Sequence, residues 1–163
     1  MRRMNPEAEQ RLKPDSYQVF LFTCRATIPF AFASHPWFIL NKKGVISRWE
    51  VFWEANRNKM SWGHLHKDMW PPFQGIEMFF WSEKYFWKSR LSGIVEGPLA
   101  ERMIELIESS PQAYGYNDRY SLPGPNSNTY GQWVLDHFPE AGLRLPWNSF
   151  GKHFMRTLGK SRP

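Results

Sequence analysis

The most promising chemistry in this sequence lies in residues 124–130, which read Gly-Pro-Asn-Ser-Asn-Thr-Tyr. Pro and Gly favour a tight turn, and Asn, Ser and Thr are favoured at helix N-caps, so the segment predicts the start of a helix. A hydroxyl group there lies beside unpaired backbone N–H groups, which can hold an oxyanion during acyl transfer. Ser127 is therefore a candidate nucleophile, although it needs a base because its hydroxyl stays protonated near neutral pH. The alternative interpretation is a well-capped helix start without chemistry.

Five histidines are candidates for that base, and His153, within residues 151–154, is left open. His35 opens a predicted strand directly after a bend, where it could face the edge of a cleft. His137 lies about three helical turns beyond the candidate serine, too far to act on it. His64 and His66 lie close to Asp68, but a zinc site needs about three or four converging ligands, and no further ligand is evident. We therefore predict neither a metal site nor a cofactor.

The elements that would position these residues follow a simple order, with strands first and helices last. Apolar and aromatic-rich runs predict strands at residues 17–26, 35–40, 45–54, 76–81 and 84–91, with a loop at 55–75. Apolar residues at helical spacing predict a helix from Pro98 to about residue 110 and another at about residues 126–138. A last short helix is predicted within residues 148–158. This order favours an α+β fold, with an antiparallel sheet and helices packed on one face.

Two predicted strands carry charged residues among aromatic ones. In the strand at residues 45–54, period 2 creates two faces, with Arg48, Glu50 and Phe52 on one and Trp49, Val51 and Trp53 on the other. Residues 81–90 place Lys84, Lys88 and Arg90 between aromatic residues, a pattern that can form a stacking platform for single-stranded nucleic acid. The favoured interpretation is an aromatic face in a core and a charged face in water.

The length of 163 residues suits one domain with its own core. We predict a single globular domain at residues 16–158, a polar tail at residues 1–15 and a basic tail at residues 159–163. Hydrophobic residues make up 42% of the chain, so that domain can bury a sizeable core. Cys24 is the only cysteine, which excludes a disulfide framework and a thiolate metal cage. Its apolar surroundings in the sequence favour a buried, inert thiol.

The net charge of +6 favours contact with anionic partners, so an acidic protein partner is a candidate. The basic residues are spread along the chain, which is typical of solubility charge, and nucleic acid is not expected as a partner. No stretch approaches the roughly 18 apolar residues that a membrane-spanning helix needs. Residues 1–10 lack the apolar region of a secretory signal. We therefore predict a cytoplasmic protein without a membrane span.

Two segments together resemble a known family. Residues 35–39 read His-Pro-Trp-Phe-Ile, and residues 123–130 read Pro-Gly-Pro-Asn-Ser-Asn-Thr-Tyr. They resemble a bacterial family catalogued as domain of unknown function 3750, over roughly residues 17–155. The second segment is the most specific part of the resemblance, which by itself implies no activity.

A looser resemblance suggests a mechanism. Circularly permuted papain-like proteins, including NlpC-type enzymes, carry a histidine on an early strand and a later nucleophile in an Asn-Cys-Asn-x-Phe-like string at a helix N-terminus. Residues 126–130, Asn-Ser-Asn-Thr-Tyr, are similar to that string, with serine in place of cysteine. The resemblance implies a permuted papain-like architecture, with Ser127 as nucleophile and His35 as base. A serine hydroxyl is less readily ionised than a thiol, so Ser127 needs a better base and a full oxyanion hole.

The remaining site residues are assigned around that pair. Glu50, on the neighbouring predicted strand, is interpreted as the group that orients the imidazole. Asn126, Asn128 and Tyr130 are predicted to contact the substrate, and Asn126 or a nearby backbone N–H is predicted to stabilise the oxyanion.

These assignments lead to two competing functions. The first is a hydrolase or acyltransferase on an amide or ester of a small molecule or peptide, and it predicts a hydrogen bond between Ser127 Oγ and a ring nitrogen of His35. The second is a catalytically inactive papain-like fold that acts as a binding module through an exposed aromatic surface.

Overall fold

The computed structural model describes residues 5–160, with side chains through Leu158, and is built on a six-stranded sheet. The strands in chain order are β1 (Tyr17–Arg25), β2 (Ser34–Lys42), β3 (Val45–Val51), β4 (Ser61–Trp62), β5 (Leu65–Lys67), β6 (Glu77–Phe79), β7 (Ser82–Phe86) and β8 (Arg90–Glu96). The sheet order is β4-β5-β3-β2-β1-β8, and neighbouring strands run antiparallel. Strands β6 and β7 form a separate antiparallel hairpin.

The helices flank this sheet. They are α1 (Pro6–Glu9), α2 (Pro98–Glu108), α3 (Ser110–Ala113), α4 (Ser127–His137) and α5 (Phe154–Lys160), with a 3-10 helix at Pro139–Ala141. The prediction of an α+β fold with an antiparallel sheet is confirmed. None of the helices within residues 5–160 is long and apolar enough to cross a membrane.

Helices α2 and α4 cover one face of the sheet. Their apolar side chains share a core with the strands that includes Leu21, Phe38, Leu40, Val51, Met103, Ile104, Ile107, Tyr130 and Val134. The opposite face is also buried, by Ala8 of α1 and by Phe73, in a second core with Phe20, Phe22, Trp37 and Ile39. Because both faces are covered, β1 and β2 are buried along nearly their whole length. The sequence predicted helices on one face only, since a four-residue helix leaves little periodic signal.

The N-terminal segment is held against the sheet where the structure describes it. Asn5 caps α1 by accepting a hydrogen bond from the Ala8 backbone, and Ala8 is fully buried. The side chain of Gln18 accepts a hydrogen bond from the backbone N–H of Lys13 at 2.9 Å. The predicted polar tail at residues 1–15 thus includes residues that pack on the domain, while residues 1–4 lie outside the described range. Residues 161–163 of the predicted basic tail lie outside it as well.

Element boundaries differ from the prediction in three places. Strands β4 and β5 fall inside the region predicted as a loop. Strand β8 continues through Gly93 to Glu96, beyond the predicted strand end at residue 91. A Cβ at Gly93 would lie 2.4 Å from Leu143 Cδ2, so close packing explains the glycine. The last helix begins only at Phe154, because residues 147–153 form turns.

The hairpin of β6 and β7 also departs from expectation. Its aromatic residues were predicted to lie in a core, and this is wrong for Trp81 and Tyr85, which are 76% and 59% exposed. Within residues 5–160 the two strands form a sheet separate from the six-stranded one, and these two rings remain largely exposed. An isolated bridge between Ile28 and Phe79 ties the hairpin to the segment that precedes β2.

Candidate functional site

Helix α4 begins with a complete capping box. Asn126 Oδ1 accepts hydrogen bonds from the backbone N–H groups of Asn128 at 3.0 Å and Thr129 at 3.3 Å. Thr129 Oγ1 in turn accepts from the Asn126 backbone at 3.1 Å. Within residues 5–160, no acceptor engages the backbone N–H of Ser127. That N–H therefore remains available at the positive end of the helix dipole, where a developing negative charge is stabilised.

Asn128 connects this helix start to the start of β2. Its Nδ2 donates to the backbone oxygen of Ser34 at 2.9 Å and to that of Phe150 at 2.9 Å. Ser34 immediately precedes His35, so one amide group fixes the distance between the helix terminus and the histidine strand. Its Oδ1 is buried and has no hydrogen-bond partner in the described part of the chain. The amide group of Asn128 thus links the two elements, and its predicted contact with a substrate stays a prediction.

Asn126 is similarly occupied by the protein itself. Its Nδ2 donates to the backbone oxygens of Leu122 at 2.9 Å and Phe150 at 3.2 Å. Both amide hydrogens are therefore used, which leaves none for an oxyanion. Of the two oxyanion donors that the sequence proposed, the structure leaves the backbone N–H at Ser127 free.

Glu50 lies against His35. Their side chains meet at 2.7 Å between Glu50 Oε2 and His35 Nε2, and both residues are almost fully buried. The ring of His35 stacks on Trp37 at a centroid distance of 6.2 Å and meets the edge of Phe52 at 5.9 Å. Neighbouring rings and one carboxylate thus set both the plane and the rotation of the imidazole.

Arg48 occupies the other edge of the same carboxylate. Its Nε donates to Glu50 Oε1 at 2.5 Å and its Nη2 to Glu50 Oε2 at 3.1 Å. Its Nη1 donates to the backbone oxygen of Pro71 at 2.8 Å. The guanidinium carbon lies 4.4 Å from the ring centroid of Trp37 and 5.4 Å from that of Trp70. The buried charges are thereby paired, and a cation held between two indoles is further stabilised.

This ion pair keeps Glu50 ionised. Burial acts to raise the pKa of Glu50, but the charge of Arg48 and the hydrogen bond with His35 outweigh it and lower the pKa to about 2. An ionised carboxylate only accepts hydrogen bonds, so His35 Nε2 carries the proton and donates it. In a neutral ring Nδ1 then holds the lone pair, and no residue in the range 5–160 hydrogen-bonds to it. In that neutral form, His35 Nδ1 is an unoccupied proton acceptor.

A cavity of about 360 Å³ joins these groups. Its size lies within the range of small-molecule sites. Its polar side chains cluster where β2 and α4 begin, and they include His35, Tyr120, Asn126, Ser127 and Asn128. The rest of the lining is mainly aromatic and aliphatic. The structure thus brings the predicted base and the predicted nucleophile to one cavity.

The predicted contact between them is not present in this structure. Ser127 is 4% exposed, its side chain interacts with the Tyr120 hydroxyl, and no hydrogen bond joins it to His35 among the described residues. Burial raises the pKa of Tyr120 to about 12, with the bond to Ser127 acting in the opposite direction, so its hydroxyl remains protonated. His35 lies on the sheet face of Trp37, whereas α4 packs on the opposite face. The two residues therefore approach the cavity from different sides of the sheet.

Tyr130 does not contribute to this site, contrary to the sequence prediction. It is 1% exposed and packs edge to face against Phe38 in the core beneath α4. Its hydroxyl lies 2.8 Å from Ser110 Oγ. One helical turn after the N-cap, the side chain points to the sheet, because that is the buried face of the helix.

The histidines near Asp68 are bound to the protein. His66 lies 2.7 Å from Ser61 Oγ and 2.8 Å from the Glu54 backbone oxygen, and burial lowers its pKa. His64 Nδ1 lies 2.9 Å from the Phe52 backbone oxygen. Asp68 accepts from the Arg48 backbone. Among the described residues, no group of three or more His, Cys, Asp or Glu is placed to hold a metal ion.

Sequence reasoning missed two members of the site. Arg48 shares a predicted strand face with Glu50, and that period-2 relationship was the available signal. Tyr120 lies in a tyrosine-rich loop whose path the sequence does not specify.

Cys24, predicted to be buried, is only partly so, but desolvation raises the pKa of its thiol to about 12. It therefore stays protonated and unreactive near neutral pH.

Comparisons with known proteins identify a family. A family model described as Protein of unknown function (DUF3750) matches residues 16–154, which include both the histidine strand and the start of α4. No curated protein and no solved structure matches the chain. Because the matched segment covers most of the sequence, the chain belongs to the DUF3750 family.

Proposed function

We propose that this protein is a hydrolase or acyltransferase that acts on an amide or ester, with Ser127 as nucleophile and His35 as general base. The observation that carries the proposal is the 2.7 Å contact between His35 Nε2 and Glu50 Oε2, which leaves Nδ1 as a free proton acceptor beside a cavity. Ser127 lines the same cavity at a helix N-terminus. A nucleophile, a base and a group that orients the base are the parts that covalent acyl transfer requires.

The reaction follows from these parts. Ser127 Oγ attacks the carbonyl carbon, and its proton passes to His35 Nδ1. The backbone N–H of Ser127 stabilises the oxyanion that forms. The bond to the leaving amine or alcohol then breaks, and that group takes the proton from Nδ1. Water, or an acceptor alcohol or amine, attacks the acyl-enzyme with His35 again as base, and Ser127 recovers its proton.

Ser127 must turn from Tyr120 towards His35 before it can react. Hydrogen bonds of this kind are often loose or absent without substrate and form only in the complex. The ionised Glu50 stabilises the imidazolium that the first step creates, although Arg48 already neutralises much of its charge. The backbone N–H therefore carries a large share of the catalytic stabilisation.

We also infer the circularly permuted papain-like architecture for the domain at residues 16–158. The order of elements supports it, since the histidine strand β2 precedes the helix α4 that carries the nucleophile position.

One observation favours a second function, in which the same cavity binds a ligand without chemistry. Ser127 is paired with Tyr120 instead of His35 and is nearly inaccessible. In that case His35, Glu50 and Arg48 form a structural network, and the cavity is the binding site of an inactive module.

Labelling with a fluorophosphonate probe distinguishes the two functions. If the protein is an enzyme, we expect one labelled serine, located to Ser127 by mass spectrometry. The label should be lost in Ser127→Ala and in His35→Ala. Ser92→Ala is the matched control, because Ser92 lies outside the cavity and bonds to Thr23. Label retained in Ser127→Ala contradicts the proposal, as does a wild-type protein that neither takes the probe nor hydrolyses any of a panel of acyl esters.

A further inference from the structure

The wall of the cavity beside Ser127 has few ionisable groups. No Asp, Glu, Lys or Arg of the described residues lines it, although the chain has 36 such residues, 21 basic and 15 acidic. A charged ligand group enclosed away from the start of α4 would lose its hydration without gaining a counter-charge, which is strongly unfavourable. The part of the ligand that lies beyond the helix terminus is therefore expected to be neutral.

The wall of the cavity is largely aromatic. Phe30 packs edge to face against Phe32 at 6.3 Å and against Phe80 at 6.3 Å. Phe80 meets Trp53 at 5.0 Å, and Phe32 meets Phe150 at 6.0 Å. These five rings all line the cavity and form a continuous row of contacts.

The same row extends out of the cavity. Phe32 is 65% exposed and Phe150 is 46% exposed, so the apolar surface continues from the interior onto the rim. Exposed aromatic residues in one contiguous patch are uncommon on proteins without a ligand or partner there. An apolar ligand gains contact along the whole path, and a longer ligand gains more than a short one.

We propose that this cavity takes the apolar acyl group of the substrate, an alkyl chain of medium length that extends from Ser127 along the aromatic row. The inference rests on the proposed function in one respect, since it places the acyl carbonyl at Ser127. The chain lies among the rings, and the leaving amine or alcohol is directed away from them. Acetyl groups are too short to use this surface.

The test measures binding separately from chemistry. Butanamide, hexanamide and octanamide are uncharged acyl compounds, and isothermal titration calorimetry gives their affinities for the full-length protein. Each buried methylene contributes a gain of about fourfold in affinity, so octanamide is expected to bind at least tenfold more tightly than butanamide. Equal affinities across the series overturn the inference.

A pair of alanine variants locates the chain. Ala33 lines the cavity and Ala31, two residues earlier on the same bend, does not. Ala33→Leu fills part of the cavity and is expected to weaken octanamide binding at least tenfold, whereas Ala31→Leu leaves it within twofold. Circular dichroism checks that both variants are folded. Equal effects of the two substitutions overturn the location, and the wild-type series tests the inference even if Ala33→Leu does not fold.

The outcomes separate this inference from the proposed chemistry. Affinity that rises with chain length, in a protein that neither takes the fluorophosphonate probe nor hydrolyses the acyl esters, supports the acyl cavity and contradicts the enzyme. Fluorophosphonate labelling of Ser127, together with equal affinities across the amide series, supports the enzyme and contradicts the acyl cavity. A parallel arm with phosphatidylcholine vesicles identifies the source of the chain: co-sedimentation supports a bilayer lipid, and amide binding without co-sedimentation supports a soluble acyl compound.

Discussion

His35 and Glu50 form a buried hydrogen-bonded pair at 2.7 Å, and the same carboxylate is the counter-ion of Arg48. Glu50 therefore has two roles. It orients the imidazole, and it neutralises a guanidinium that has no exposure to solvent. The two roles can be separated experimentally, because the ion pair with Arg48 acts on stability and the bond to His35 acts on the proposed reaction.

Glu50→Gln is expected to lower the free energy of unfolding by about 3–5 kcal/mol, because it leaves Arg48 buried without a counter-charge. Chemical denaturation followed by fluorescence measures the change. Glu140→Gln is the matched control, since Glu140 pairs with Arg102 at 3.0 Å on the exposed surface. That substitution is expected to cost less than about 1 kcal/mol. Similar losses in both variants would argue against a stabilising role for the buried pair.

The pH dependence of stability follows from the same pair. The pKa of Glu50 falls from 4.5 to about 2 in the folded protein, so the unfolded chain binds this proton more readily. The contribution of the ionised Glu50 to the free energy of unfolding is complete above about pH 4.5 and is lost as the pH falls towards about 2. The wild-type protein and Glu140→Gln should therefore lose stability more steeply over this window than Glu50→Gln. Parallel curves for all three proteins, measured by urea denaturation between these limits, would contradict the lowered pKa.

Local sequence pattern was sufficient for the long elements, and it selected Ser127 and His35, which line one cavity. Strands β1 to β3 and helices α2 and α4 have runs long enough to show their periodicity. The side-chain alternation in β3 placed Arg48 and Glu50 on one face, and N-cap residues indicated the start of α4. The predicted roles of these residues still require the experiments described above.

Other features depend on contacts between distant parts of the chain. Strands β4 and β5 have two and three residues, too few for any period, and form only by pairing along β3. The bond of Tyr120 to Ser127 depends on the path of a loop. Tyr130 was assigned to the site from its place in a string, but packing against Phe38 turns it into the core. These contacts join residues that are far apart in the sequence, so no local sequence pattern predicts them.

Tyr120→Phe is expected to speed fluorophosphonate labelling of Ser127. The substitution removes the hydroxyl that now holds Ser127 and leaves the ring in place. One neutral hydrogen bond contributes about 0.5–1.5 kcal/mol, which corresponds to a roughly two- to tenfold increase in rate. Mass spectrometry of samples quenched at successive times gives the labelling rate. Slower labelling would instead assign the Tyr120 hydroxyl to the stabilisation of the reacting group.

Substitutions of Asn126 separate its two functions at the start of α4. Asn126→Ser keeps a side-chain acceptor for the helix N–H groups but removes the amide that bonds to Leu122 and Phe150. Asn126→Ala removes both. We expect the stability order wild type, Ser variant, Ala variant, with about 1 kcal/mol between the last two from the lost cap. Chemical denaturation measures the order, and equal stability of the Ser and Ala variants would show that capping contributes little here.

The loop before α5 supports the same cap, and Gly151→Ala tests this support. Gly151 has φ +92°, and a Cβ there would lie 2.4 Å from Asn126 Nδ2. Gly142→Ala is the control, because Gly142 also has a positive φ, of +67°, but faces open space. The control is expected to lose about 1–2 kcal/mol from backbone strain alone.

Gly151→Ala is expected to lose at least about 1 kcal/mol more than Gly142→Ala, because the added methyl displaces the N-cap side chain. It should also slow probe labelling, whereas Gly142→Ala should not, since only the first change reaches the helix terminus that carries Ser127. Denaturation and labelling of the two variants measure both effects. Equal losses of stability with unchanged labelling would mean that Asn126 can shift without moving Ser127, and the rigid helix start would then contribute nothing to reactivity.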